Sequence, residues 1–252
     1  MQQMLMALLL SAAMAVAAKG GRKKAGAAYP HDLQRFRELG QEGLGLLHDG
    51  KAKEGVEVLA QAIAAAPDQP AAADALYNRA GALKELRRPE EAVADLEQAI
   101  AINPSDAAAF AMKAGLLKKL DRLEDALRDY SAAIDLKPTA AKGAAEWKAI
   151  KSYHYNRGNV LTALQRCPEA VRSFDQAIDM DPSFSQALAN RGICLKSEGR
   201  ATEADQSFAS AKEINPDHVK METTEMNGED MSKSQFGSRI KAERTEVSKD
   251  GL

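Results

Sequence analysis

Three copies of one triplet carry the most suggestive side chains of this chain: Asn78-Arg79-Ala80, Asn156-Arg157-Gly158 and Asn190-Arg191-Gly192. A carboxamide offers a donor and an acceptor together, so a row of asparagines can pair with the backbone of an extended peptide whatever side chains that peptide carries. That is binding chemistry rather than catalysis. The residue types that catalyse are present without a workable spacing. His31, His48, His154 and His218 are far apart, and none begins the H-E-x-x-H pattern that sets two metal ligands and a base on one helix face. There is no G-x-S-x-G, no Walker-type phosphate loop and no strand-turn-helix context for a dinucleotide. Cys167 and Cys194 show no metal or redox spacing and read as two unpaired thiols. The sequence therefore predicts a protein that is not an enzyme, with no cofactor and no metal.

A helical repeat must position the asparagines. Pro104 and Pro138 lie 34 residues apart, and each closes an apolar run at helical spacing. If proline stands at position 32, Pro67, Pro104, Pro138, Pro182 and Pro216 define repeats at 36–69, 73–106, 107–140, 151–184 and 185–218. Columns then fall into register. Position 8 is Gly43, Ala80, Ala114, Gly158 and Gly192; position 20 is Gly55, Ala92, Ala126, Ala170 and Ala204; position 27 is alanine throughout. Position 11 is leucine in all five repeats, and position 24 is Leu59, Leu96, Tyr130, Phe174 and Phe208. Two antiparallel helices approach closely only where one presents a small residue to the other's large one, so these columns describe how each pair packs. His154, at the large position 4, reads as a packed, structural histidine. Pro89 and Pro168 fall where second helices start, since a missing N–H costs little there.

This pattern resembles the tetratricopeptide repeat. The resemblance implies an all-α, right-handed superhelical solenoid of antiparallel helix pairs, with the first helices lining a concave groove through positions 2, 5, 6, 9, 12 and 13. Position 6 is then Gln41, Asn78, Met112, Asn156 and Asn190, an arrangement similar to the asparagine ladder of the O-GlcNAc transferase superhelix, without any transferase domain. Tyr77, Lys84, Met112, Lys118, Lys119, Tyr155, Asn159 and Lys196 complete the groove against Asp74 and Glu85, and the lysines suggest a mildly acidic extended peptide. Chaperone-tail receptors of the family grip a C-terminal carboxylate with a lysine, arginine and asparagine set. Its equivalents in repeats three to five are Ala111, Gly115, Asn156, Gln186 and Asn190, one match in five, which argues against Hsp70 or Hsp90 tails. The expected function is a protein-interaction adaptor; the alternatives are a self-associating scaffold and a regulatory subunit of an enzyme complex.

Charge adds little direction. With 34 basic and 36 acidic residues in 252, the chain carries a formal −2, so no global field draws it to nucleic acid or to an anionic membrane. Residues 1–18 are almost wholly apolar and resemble a signal peptide that lacks a basic start; a membrane anchor, an apolar cap and a disordered tail are the other readings. The secretory pathway or endoplasmic-reticulum lumen follows from the first reading, the cytoplasm otherwise. Residues 19–35 read as a basic, glycine-containing linker and 219–252 as a polar, disordered tail, within which Val219 to Met226 could form a short cap. The last four residues resemble a retrieval tetrapeptide with glycine in place of glutamate. Between Thr139 and Ile150 ten extra residues carry Trp147, the single tryptophan; they are expected to extend the next helix by two to three turns, with Trp147 packing on the preceding repeat or meeting a partner.

Overall fold

A computed structural model describes residues 30–66, 70–136 and 145–215. Among them are ten α-helices: α1 (Pro30–His48), α2 (Ala52–Ala65), α3 (Pro70–Glu85), α4 (Pro89–Ile102), α5 (Ala107–Lys119), α6 (Leu123–Asp135), α7 (Ala145–Ala163), α8 (Cys167–Met180), α9 (Ser185–Ser197) and α10 (Ala201–Ile214). Each helix packs on the one before and the one after, so the chain is an all-α solenoid of helix pairs. The apolar N-terminal segment, the cap considered at 219–226 and the final tetrapeptide lie outside the described residues.

The register columns become the core. Every position-20 residue and every position-27 residue is buried, the alanines at position 27 at no more than 1% exposure. Leu59, Leu96, Tyr130 and Phe174 at position 24 are buried with them, and Phe208 is only half-buried because α10 ends the described array. The fit is steric at the glycines. A Cβ on Gly158 would stand 2.5 Å from Cε1 of Phe174, and one on Gly192 would stand 2.7 Å from Cε1 of Phe208.

Each first helix ends in the same way. Gly50, Arg87, Asp121, Gln165 and Gly199, all at position 15, take a left-handed backbone with φ between 58° and 76°. The next N–H then turns back to the position-11 leucine carbonyl in all five repeats, at 2.9 to 3.0 Å, for example Arg88 to Leu83 and Arg166 to Leu161. This is the Schellman closure, which satisfies carbonyls that the helix leaves open. Arginine at position 16 then clasps the acid three residues on, as Arg88 does Glu91, Arg122 Asp125, Arg166 Glu169 and Arg200 Glu203. Between repeats, Asn103 and Asp181 at position 31 accept from the backbone and hydroxyl of Ser105 and Ser183, an Asx turn ahead of the next first helix.

One expectation needs correction. Helix α1 starts at Pro30, so residues 30–35, assigned to the linker, are helical and lead directly into Phe36. Of the insertion, residues 145–150 are helical and continuous with α7, about 9 Å at 1.5 Å per residue. Its other residues, 141–144, lie outside the described residues.

Candidate functional site

The curvature follows from which helices meet. First helices of successive repeats touch one another, α1 with α3, α5 with α7 and α7 with α9, whereas second helices pack chiefly against first helices. The row of first helices is therefore the inner side of the curve, and its exposed positions form the candidate site.

The asparagines on that row are not equivalent. Asn78 Nδ2 donates to its own Asp74 carbonyl at 2.8 Å, one turn back. Asn190 Nδ2 donates to Oδ1 of Asn159 at 2.7 Å and lies 3.4 Å from the Tyr155 hydroxyl, so these three expected groove residues form one polar junction between repeats four and five. Asn156 is half-buried and makes no side-chain hydrogen bond among the described residues, and neither does the exposed Gln41 at the same position of repeat one, so two of the position-6 carboxamides are uncommitted there. The Tyr155 ring is likewise committed, packed 4.8 Å from Phe184 and 6.1 Å from Phe174 between ring centroids. It is a wedge between repeats as much as a groove aromatic.

Toward the other end, Tyr77 and Met112 are half-buried against the core together with Tyr153. Burial, and then the nearby Asp106 carboxylate, hold the Tyr77 phenol above its usual range; Tyr153 is raised by burial, then by Tyr77 and Asp106. Two phenols, from repeats two and four, thus lie against the same core cluster within electrostatic reach of each other. Tyr153 sits at position 3, outside the groove positions that the repeat implies, and so escaped the sequence reading.

The lysines behave differently. Lys84, Lys118 and Lys196 occupy position 12 and Lys119 position 13; all four are exposed, and none forms an ion pair among the described residues. Burial nevertheless pulls the Lys118 ammonium below the usual lysine range, although its side chain is solvent-accessible. The inner face lowers the hydration of this charge, and no described residue supplies a counterion.

A second set of cations, which sequence reasoning missed, is engaged within the protein, Arg157 by a hydrogen bond alone. In repeats two to five the residue after the position-6 side chain, at position 7, reaches across its helix pair to position 23. Arg79 grips Asp95 with two hydrogen bonds, Nε to Oδ2 at 2.7 Å, and Lys113 meets Asp129 at 3.2 Å. In repeats four and five the acid is replaced by serine: Arg157 Nε donates to Ser173 and Arg191 Nε to Ser207, each at 3.2 Å. Arg191 then takes its counterion from the preceding repeat, Asp175, at 2.8 Å. The recurring Asn-Arg pair was the visible signal, but the constant half of it is the arginine, and its role is structural.

Trp147 is half-buried, and its indole N–H donates to the Met180 carbonyl at 3.3 Å. Met180 ends the second helix of the same repeat, so the indole is tied to its own repeat through this bond and its donor is already used. His154 is buried with Nδ1 unpartnered, and burial, followed by repulsion from Arg157, lowers its pKa to about 4. Among the described residues no helix is long and apolar enough to cross a membrane, and no three histidine, cysteine or acidic side chains are grouped to hold a metal.

A family model described as tetratricopeptide repeat matches residues 73–106, and a second model of the same description matches 155–219. No curated protein matches the sequence. Among solved structures, the chain is similar to MamA, with a TM-score of 0.62 and 17% identity over 71% of this chain and 96% of that one. It is similar to YrrB, described as a TPR protein with an unusual peptide-binding site, at 0.63 and 19% over 74% and 90%. A tetratricopeptide repeat protein from Parabacteroides merdae gives 0.63 and 21% over 73% and 68%. At these identities the likeness is one of fold.

Proposed function

This chain is a tetratricopeptide-repeat protein, and on that premise we propose that it is a non-enzymatic adaptor that holds an extended, mildly acidic segment of a partner protein along its inner face. The observation that carries this reading is the contrast between cations. Those at positions 7 and 16 of repeats two to five are engaged within the protein, Arg157 through Ser173 and the others through carboxylates, whereas Lys84, Lys118, Lys119 and Lys196 line the inner edge with neither among the described residues. A carboxylate brought to an enclosed ammonium such as Lys118 gains more than it would on a flat, fully hydrated surface. Asn156 supplies an uncommitted amide for the peptide backbone, and Tyr77 with Tyr153 supplies an apolar floor. YrrB, which shares the fold, has a peptide-binding site, and this supports the same use of the solenoid here.

A graded array of extended peptides differing in aspartate and glutamate content tests the reading, with the hits measured by fluorescence anisotropy. Affinity should rise with acidic content and fall with salt. Lys84→Glu combined with Lys118→Glu should weaken the best peptide roughly 10-fold or more, about 1.4 kcal/mol. Equal binding by acidic and basic peptides, or no change in the double variant, would reject it.

A further inference from the structure

The two cysteines of the chain, 27 positions apart in sequence, meet at the junction of repeats four and five. Cys167 is the first residue of α8 and half-buried; Cys194 lies in α9 and is fully buried. One hydroxyl joins them. Ser197 Oγ donates to the Cys194 carbonyl at 2.7 Å and lies 3.1 Å from Cys167 Sγ. Thr162 Oγ1 stands 3.3 Å from Cys194 Sγ on the other side. Two thiols on packed helices, linked through one serine hydroxyl, are placed where a modest adjustment brings the sulfurs to the approach that a disulfide needs.

We propose that Cys167 and Cys194 form a redox-modification site, closing to an intramolecular disulfide that ties repeat four to repeat five when a small external disulfide is the oxidant. Cys167 reacts first because it is the accessible thiol. Its thiolate attacks one sulfur of the external disulfide and expels the other as a thiol, leaving a mixed disulfide on Cys167. Cys194 gives up its proton and attacks the Cys167 sulfur; the second external thiol leaves with that proton. The protein loses two protons and two electrons, and the external disulfide takes them up to become two thiols. Burial pushes the Cys194 thiol up to about 12, which makes the second step the slow one. The bond would fix the setting between α8 and α9 directly behind Thr162 and Ser197, at the junction that also holds Asn159 and Asn190.

The test is to incubate the full chain, without denaturant, with oxidised glutathione, and to follow intact mass, non-reducing peptide maps and melting temperature. The expected product is a monomer lighter by two hydrogens, with a Cys167–Cys194 cross-linked peptide and a melting temperature higher by roughly 5 °C, reversed by dithiothreitol. Cys194→Ser should stop at the glutathione adduct on Cys167. Should that variant fail to fold, Cys167→Ser, at the more exposed site, should show neither adduct nor thermal shift. Wild-type protein that keeps both thiols free, stops at the mixed disulfide, or cross-links between two copies would overturn the proposal. These readouts are independent of peptide binding.

Discussion

Phe174 occupies the space that a side chain on Gly158 would need: its Cε1 lies 2.5 Å from where the Cβ would be, and the ring is fully buried with nowhere to move. An exposed helical glycine changed to alanine ordinarily gains about 0.5 to 1 kcal/mol. Gly158→Ala should instead destabilise by about 1 to 3 kcal/mol through overpacking. Gly81→Ala, at position 9 of repeat two and with nothing within 4 Å of its added Cβ, should stabilise. Urea unfolding of both variants reads the opposite signs; equal signs would contradict the packing described.

Arg79 and Asp95 test the buried cross-pair link. Their side chains are 18% and 5% exposed, so removing one partner strands the other. Asp95→Ala should cost about 3 kcal/mol, whereas Arg79→Met with Asp95→Leu should recover most of that loss. A double-variant cycle by chemical denaturation measures the coupling, and additive losses would show that the pair is not energetically linked.

Position 15 offers a gain. Arg87 and Gln165 are exposed and held at φ 59° and 58°, where glycine carries no Cβ penalty and where repeats one and five already have Gly50 and Gly199. Gln165→Gly should stabilise by about 0.5 to 1 kcal/mol, seen as a higher urea midpoint with an unchanged slope. A loss would mean that the long side chain contributes more than the backbone strain removes.

His154 gives the fold a sensitivity to acid. Its folded pKa is lowered to about 4 from 6.5, chiefly by burial and secondarily by Arg157. The unfolded chain therefore binds a proton before the folded one does, and stability falls as pH drops from about 6.5 to about 4. The ceiling on this single contribution is about 3 kcal/mol. His154→Leu should flatten that part of the stability curve; a wild-type midpoint unchanged between pH 7 and pH 5 would show that the imidazole is not held neutral.

The fold was legible in the sequence because its packing rule is written in single residues. Alanine at position 27 and leucine at position 11 recur in every repeat; all five alanines are buried, and so are the leucines of repeats two to five, while Leu46 is half-buried. The inner-face side chains were readable as a list of positions and not as a list of available groups. Asn78 and Asn190 carry the same residue type as Asn156, yet both spend their amides on the protein, because hydrogen-bond partners depend on neighbours one turn or one repeat away. Tyr153 was hidden by its position. The cysteines were hidden by distance along the chain, since only stacking of repeat five on repeat four brings Cys194 to Cys167.

The replacement of Asp95 and Asp129 by Ser173 and Ser207 also gives the array an order of dependence. Arg79 and Lys113 are neutralised inside their own repeats, so each of those repeats carries a balanced interior wherever it is placed. Arg191 borrows its counterion from Asp175 of the repeat before it. Trimming repeat five removes Arg191 together with its need for Asp175, whereas excising repeat four leaves Arg191 without that carboxylate; loss from the far end should therefore cost the array less than loss from its middle.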